Sequence, residues 1–155
     1  LKIKSSDKKF VIQKMEKGIA EIILGYRVDE LVGPIVLIGS GGILSEIYND
    51  KSIRMAPVDI TEAKKMIKEV KSLVTITGYR GLPEANINII ANAIVRISKL
   101  AFVKEIKEAE INPVIIKKET EGIVAVDGLI ILNWFFKLFL KITYFTCQIF
   151  ILSLV

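Results

Sequence analysis

The chain has 155 residues, 52% of them hydrophobic and 25% charged, proportions that describe one globular domain with a modest core. Its net charge of +5 is uneven: all 17 acids precede residue 133, and the last 23 residues carry only Lys137 and Lys141, too weak and scattered a basic pattern to bind nucleic acid. No histidine is present and the single cysteine is Cys147, which excludes an internal disulfide, a histidine-based nucleophilic pair and histidine metal ligation, and fits a reducing cytoplasm.

The opening LKIKSSDKKF lacks the apolar stretch of a secretory signal and starts on Leu1 rather than Met, as an excised or truncated product would. Phe10 to Met15 and Ala20 to Tyr26 are apolar runs around Glu16-Lys17-Gly18, read as two strands and a tight connection. Ile35 to Ile38, ahead of Gly39-Ser40-Gly41-Gly42, reads as a buried strand. Leu44 to Tyr48 and Ile53 to Val58 flank Asn49-Asp50-Lys51-Ser52, a turn-rich quartet that predicts a hairpin.

Asp59 with Glu62 three residues on forms a capping box, and Ala63, Met66, Ile67 and Val70 repeat at helical spacing. A second helix starts at the N-cap Asn86 and sets Ile87, Ile90, Ala91, Ile94, Ile97 and Ala101 on one side. Between them, Thr75 to Pro83 reads as a loop with a little extended structure. Two strands follow, Glu108 to Lys117 and Gly122 to Asp127, split by the turn Lys118 to Glu121. Strand pairs on short turns predict an α/β domain of the α+β type, a mainly antiparallel sheet with helices on one face.

From Asn133 the composition changes, dividing the chain into a body at 1–132 and a hydrophobic tail at 133–155. Ile142 to Val155 is a run of 14 uncharged residues, short of the ~20 that a spanning helix needs. Three readings of the tail stand: a membrane anchor with Lys137 and Lys141 snorkelling, an out-of-frame or read-through ending, and a partner-covered helix. Membrane contact is expected through this tail alone.

Two constellations could carry chemistry. The first, Ile35 to Gly42, looks like the strand and glycine turn of a dinucleotide site, with Asp59 in place of the ribose-binding acid. The pattern is GxGG rather than GxGxxG, and Ile43 to Asn49 is too short for a crossover helix. These glycines either make a sharp turn or let backbone N–H groups approach a ligand. In the second, the two-residue period of a strand puts Glu108, Glu110 and Asn112 on one face, and an antiparallel return would bring Asp127 near Asn112. Such oxygen donors suit Mg²⁺ completed by substrate phosphates; a solvated strand face is the plainer account.

Taken in order, Ala20 to Gly25, Asp29, Gly33-Pro34-Ile35-Val36, Gly39-Ser40-Gly41-Gly42, Ser45-Glu46-Ile47, Arg54-Met55-Ala56-Pro57, Gly78-Tyr79-Arg80-Gly81, Glu110-Ile111-Asn112-Pro113 and Val126-Asp127-Gly128 resemble the second half of the ATP-grasp domain of ADP-forming acyl-CoA synthetases. The likeness runs from Phe10 to Leu132 and extends, more distantly, to the β subunit of succinyl-CoA synthetase.

This resemblance implies a partial ATP-grasp fold with ATP or ADP and Mg²⁺ as cofactors, acting in the conversion of acyl-CoA, ADP and phosphate to a carboxylic acid, ATP and CoA. Gln13, Lys14 and Met15 would be the hinge strand holding adenine, with Glu21 close to the nucleotide and Gly39, Gly41 and Gly42 in its glycine loop. Asn112 and Asp127 would be the Mg²⁺ ligands. Arg54 and Arg80 match family arginines and would neutralise phosphate, or else pair with local carboxylates. The family's Arg-Asp is Val28-Asp29 here, and the basic residue expected after Asp127-Gly128 is Leu129. The first half of the ATP grasp, its phosphate-gripping lysine and the phosphohistidine have no counterpart. The chain is therefore expected to be inactive alone, and to need a complementing chain with that half and the CoA-binding and phosphohistidine domains. The competing expectation is a non-catalytic remnant or tail-anchored binding module.

Overall fold

The computed structural model describes residues 14–41 and 49–133. They form strands β1 (Ala20–Asp29), β2 (Gly33–Ser40) and β3 (Lys51–Met55), helices α1 (Ile60–Glu69) and α2 (Ile87–Ser98), then strands β4 (Ile106–Ile116), β5 (Ile123–Ala125) and β6 (Gly128–Leu132). Every pairing is antiparallel, in the order β3-β2-β1-β4-β5, and β6 also pairs with β4, beyond β5 along the same edge.

Strand alternation decides which face is covered. On β1, Ile22, Leu24 and Tyr26 point into the core, joined by Val36 and Ile38 of β2. Against them pack Ala63, Met66 and Ile67 of α1 and Ile90, Ala91, Ile94 and Ile97 of α2. The helices thus cover one face, as the apolar spacing predicted. Both predicted caps form: the Asp59 carboxylate accepts from the Glu62 amide at 2.8 Å, and the Asn86 side chain accepts from the Asn88 and Ile89 amides. Ser98, fully buried, donates to the Val95 carbonyl and accepts from the Val58 amide, tying the segment after β3 to α2.

The β1–β2 hairpin turns on Asp29, whose Oδ1 accepts from the Leu31 and Val32 amides, and on Gly33, at φ +83°. Asp29 is therefore explained as a turn former. The glycine-ended β2 is followed by an antiparallel neighbour, β3, so the dinucleotide-binding arrangement is absent here, as its short connection required.

Several expectations need correction. Lys14 and Met15 are not in a strand; the rest of the predicted Phe10–Met15 strand lies outside the described residues, as do Leu44 to Tyr48 and the tail from residue 134. Lys51 and Ser52, expected in a turn, begin β3. The Thr75 to Pro83 stretch keeps the little extended structure expected of it, a bridge from Thr77 to Glu84, but much of the rest winds into 3₁₀ turns at Lys71–Ile76 and Tyr79–Gly81. The hydroxyls of Thr75 and Thr77 bond the carbonyls three residues back, and Leu73 and Ile76, three apart, are both buried. The strand β6 is additional to those expected.

Candidate functional site

Among the described residues, no helix or strand covers the face of the sheet away from the helices. A shallow hollow of about 170 Å³ lies there, floored by Gly25, Ile35, Leu37 and Ile53 and edged by Arg27, Lys51, Glu108 and Glu110. It exists because Gly25, mid-strand between Leu37 of β2 and Glu110 of β4, has no side chain to fill it. Sequence reading missed this hollow: its residues come from four strands, and only their shared parity, opposite to the core positions, marks them.

Beside the hollow β4 bulges. Ile22 pairs with Val114 and Leu24 with Ile111, so Asn112 and Pro113 together face one residue of β1. Proline has no N–H to give the ladder and is tolerated at such a point. On the other side the bulge separates β5, ending in the pair Ala125–Val114, from β6, starting in the pair Gly128–Ile111. The Asn112 amide donates to the Asp127 carbonyl and the Val126 amide to the Pro113 carbonyl, each at 3.1 Å. The predicted approach of Asp127 to Asn112 is thus realised through the backbone, with both residues exposed.

The side chains there suit a hard cation. Asn112 Nδ2 donates to Glu110 Oε1 at 3.3 Å, an arrangement that leaves its Oδ1 without a donor among the described residues. Asp127 Oδ1 accepts from the Gly128 amide at 2.8 Å, which fixes the carboxylate and leaves Oδ2 available. Among the described residues no cluster of three or more acidic, cysteine or histidine side chains could hold a metal unaided. Such a donor pair fits Mg²⁺ that keeps waters and takes phosphate oxygens, not a closed protein cage.

The other predicted residues divide. Gln13 and Gly42 lie outside the described residues. Lys14 and Met15 lie in the segment entering β1, with Lys14 Nζ 3.0 Å from Glu16 Oε1. Glu21 is exposed on β1, and its carbonyl accepts from the Gly41 amide at 2.8 Å. Gly39 still pairs with Ile23 and Lys51 within the sheet. Gly41 is where a close approach demands glycine: a Cβ there would sit 2.7 Å from the Glu21 carbonyl carbon.

Arg54 pairs with local carboxylates, one of the two arrangements expected of it. Its Nε bonds Glu62 Oε1 at 2.7 Å, its Nη2 pairs with Glu69, and its Nη1 donates to the Ile53 carbonyl and Ser52 Oγ. It alternates with Lys51 and Ile53, so it points to the helix side, three strands from β4 or about 14 Å at ordinary strand spacing. Hydrogen bonds from Arg54 hold the carboxyls of both Glu62 and Glu69 below the usual range. Arg80 has φ 53° and lies over the Tyr79 ring at 5.3 Å, in the connection between the helices. Neither arginine lines the hollow.

A family profile described as the ATP-grasp domain matches residues 3–132. The chain is 37% identical over 109 residues to the acetate–CoA ligase [ADP-forming] of Methanocaldococcus jannaschii, covering 70% of this chain and 16% of that protein. It is 40% identical over 113 residues to the β subunit of acetate–CoA ligase [ADP-forming] I of Pyrococcus furiosus, covering 72% and 48%. A solved structure of the dinucleotide-forming acetyl-coenzyme A synthetase 1 of Ca. Korarchaeum cryptofilum superposes with TM-score 0.70 at 38% identity, over 77% of this chain and 55% of that one. That enzyme was captured with coenzyme A and Mg-AMPPCP, its phosphohistidine segment pointing towards the nucleotide binding site. The chain thus spans about half, or less, of the length of these relatives. Among the described residues no helix is long and apolar enough to cross a membrane.

Proposed function

The chain belongs to the ATP-grasp family, and from that premise we propose that it supplies one wall of the Mg-nucleotide site of an ADP-forming acyl-CoA synthetase. The observation that carries this reading is the bulge at Asn112-Pro113, which sets Asn112 and Asp127 side by side, with Glu110 hydrogen-bonded to Asn112, on the open sheet face. Asn112 Oδ1 and the Asp127 carboxylate would hold Mg²⁺, which when bound neutralises the phosphates of ATP or ADP. Glu110 orients the Asn112 amide. Gln13 to Met15 would lie along the base, with Glu21 and, near the end of β2, Gly39 close to the nucleotide and Gly41 and Gly42 beside them. Arg54 is left out, because its guanidinium is already bound to two carboxylates.

The overall reaction would convert acyl-CoA, ADP and phosphate to a carboxylic acid, ATP and CoA. Without histidine this sequence cannot carry a phosphohistidine, so that group and the opposing lobe would come from a complementing chain or domain. Phosphoryl transfer relies on positioning and charge neutralisation, so a half-site can bind without turning over. Calorimetric titration of Mg-ADP into the 155-residue chain tests the reading. Saturable binding that disappears with EDTA and in Asp127→Ala is expected; equal affinity without metal, or in the variant, would contradict it.

A further inference from the structure

The segment leading into β1 is fastened to the far end of β4, and the fastening lies on the open side of the sheet. Past the bulge, Val114 and Ile116 face the core, so Ile115 and Lys117 point to the open side. Ile115 is nonetheless buried, because Gly18 lies on it: a Cβ at Gly18 would be 2.4 Å from Ile115 Cγ2 and 2.3 Å from the Ile116 carbonyl oxygen. The Ile19 amide donates to that carbonyl at 2.8 Å. Two residues earlier, Glu16 Oε2 lies 2.7 Å from Lys117 Nζ, both side chains less than a fifth exposed, at 17% and 16%. Hydrogen bonding from Lys117, then Lys14, holds the Glu16 carboxyl below its usual range. A backbone contact at Gly18 and Ile19 and an ion pair at Glu16 together stop the segment from sliding or lifting.

We propose that the Glu16–Lys117 pair is a clamp that positions Lys14-Met15 for the base of the bound nucleotide, with Lys117 acting through Glu16 rather than on the ligand. The inference rests on the nucleotide-site reading above. Distance supports it. Pro113 to Lys117 is four strand residues, about 13 Å at the usual rise, within reach of an extended nucleoside diphosphate whose phosphates meet the metal at the bulge. The clamp therefore marks the base end of the site and the bulge its phosphate end.

Calorimetry on the 155-residue chain with Mg-ADP and Mg-pyrophosphate separates positioning from general support, because pyrophosphate has no base. Lys117→Met and Glu16→Gln should each weaken Mg-ADP roughly tenfold while leaving Mg-pyrophosphate within about twofold, since loosening a preorganised contact affects only the ligand part that uses it. Lys117→Arg, which keeps the charge, should restore most of the ADP affinity. Wild-type binding with unchanged ADP affinity in both variants would overturn the clamp alone, as would equal weakening of ADP and pyrophosphate. Absence of Mg-ADP binding by the wild-type chain would overturn the nucleotide-site reading and the clamp with it.

Discussion

Two glycines of this sheet should respond to the same substitution in opposite ways. At Gly41 an added Cβ would lie 2.7 Å from the Glu21 carbonyl carbon, 2.8 Å from its oxygen and 2.8 Å from the Ile22 nitrogen. All three are backbone atoms of β1, so relief requires moving a central strand or withdrawing Gly41. Withdrawal also breaks the 2.8 Å bond from the Gly41 amide to the Glu21 carbonyl. Overpacking of this kind costs about 1–3 kcal/mol and the lost hydrogen bond about 1 kcal/mol, so Gly41→Ala should destabilise by roughly 2–4 kcal/mol. At a urea m-value of about 2 kcal/mol/M, the middle of the range for a small domain, the midpoint should fall by about 1–2 M. At Gly25, by contrast, the new Cβ would meet only Leu37 Cβ and Cδ2, each at 3.8 Å, an ordinary contact. A mid-strand glycine is about 0.5–1 kcal/mol worse than alanine, so Gly25→Ala should hold or raise the midpoint while partly filling the hollow. Urea unfolding followed by circular dichroism reads both. Equal midpoints for the two variants would refute the claim that Gly41 is fixed by its approach to β1.

Acid should destabilise the fold within a defined window. The Leu31 and Val32 amides lower Asp29, and Arg54 lowers Glu62 and Glu69, from ordinary values of 3.8 and 4.5. Depressed folded-state values mean that the stability they confer is complete above the unfolded pKa and is lost as pH falls through the folded one. The urea midpoint should therefore be level from neutrality to about pH 5 and decline below about 4.5, less steeply in Arg54→Met; a midpoint rising with acid would mean that these carboxylates do not stabilise the fold. Asp59→Ala removes the N-cap of α1, whose side chain accepts from the Glu62 amide at 2.8 Å, and should cost about 1 kcal/mol. Thermal unfolding by circular dichroism checks that figure, and an unchanged midpoint would show that the cap does not hold α1.

How much of this was readable in the sequence depends on whether a feature is local. The helices were legible because Asp59 and Asn86 cap them and their apolar residues recur at helical spacing. β1 and β2 were legible as apolar runs, and the association of Glu110-Ile111-Asn112-Pro113 with Asp127 followed from the strand period and a short turn. The bulge was not, because it is a property of pairing: only against Ile22 and Leu24 does β4 show two residues where β1 has one. That bulge shifts the core parity from Ala109 and Ile111 to Val114 and Ile116, so a uniform alternation misplaces everything after Asn112. β6 escaped notice because Gly128 reads as the end of a turn, although Leu129 to Leu132 are all apolar. Arg54 fits a phosphate ligand and a local ion pair equally well until strand parity turns it towards Glu62 and Glu69. The clamp joins Glu16 to Lys117 across most of the chain, and no sequence pattern announces it.

Asn112 and Asp127 are proposed to hold the divalent cation beneath a nucleotide on the open face of the sheet. Paramagnetic line broadening in NMR spectra of the 155-residue chain with Mn²⁺ and ADP tests it most directly, because the effect falls off steeply with distance from the ion and tolerates weak binding. Broadening of the Asn112 side-chain amide and the Gly128 amide is expected on adding ADP to the Mn²⁺ sample, with the signals of Arg54 and Ser98 on the helix side spared. Broadening centred on any other part of the sheet, or spread evenly over exposed carboxylates and indifferent to ADP, would contradict it.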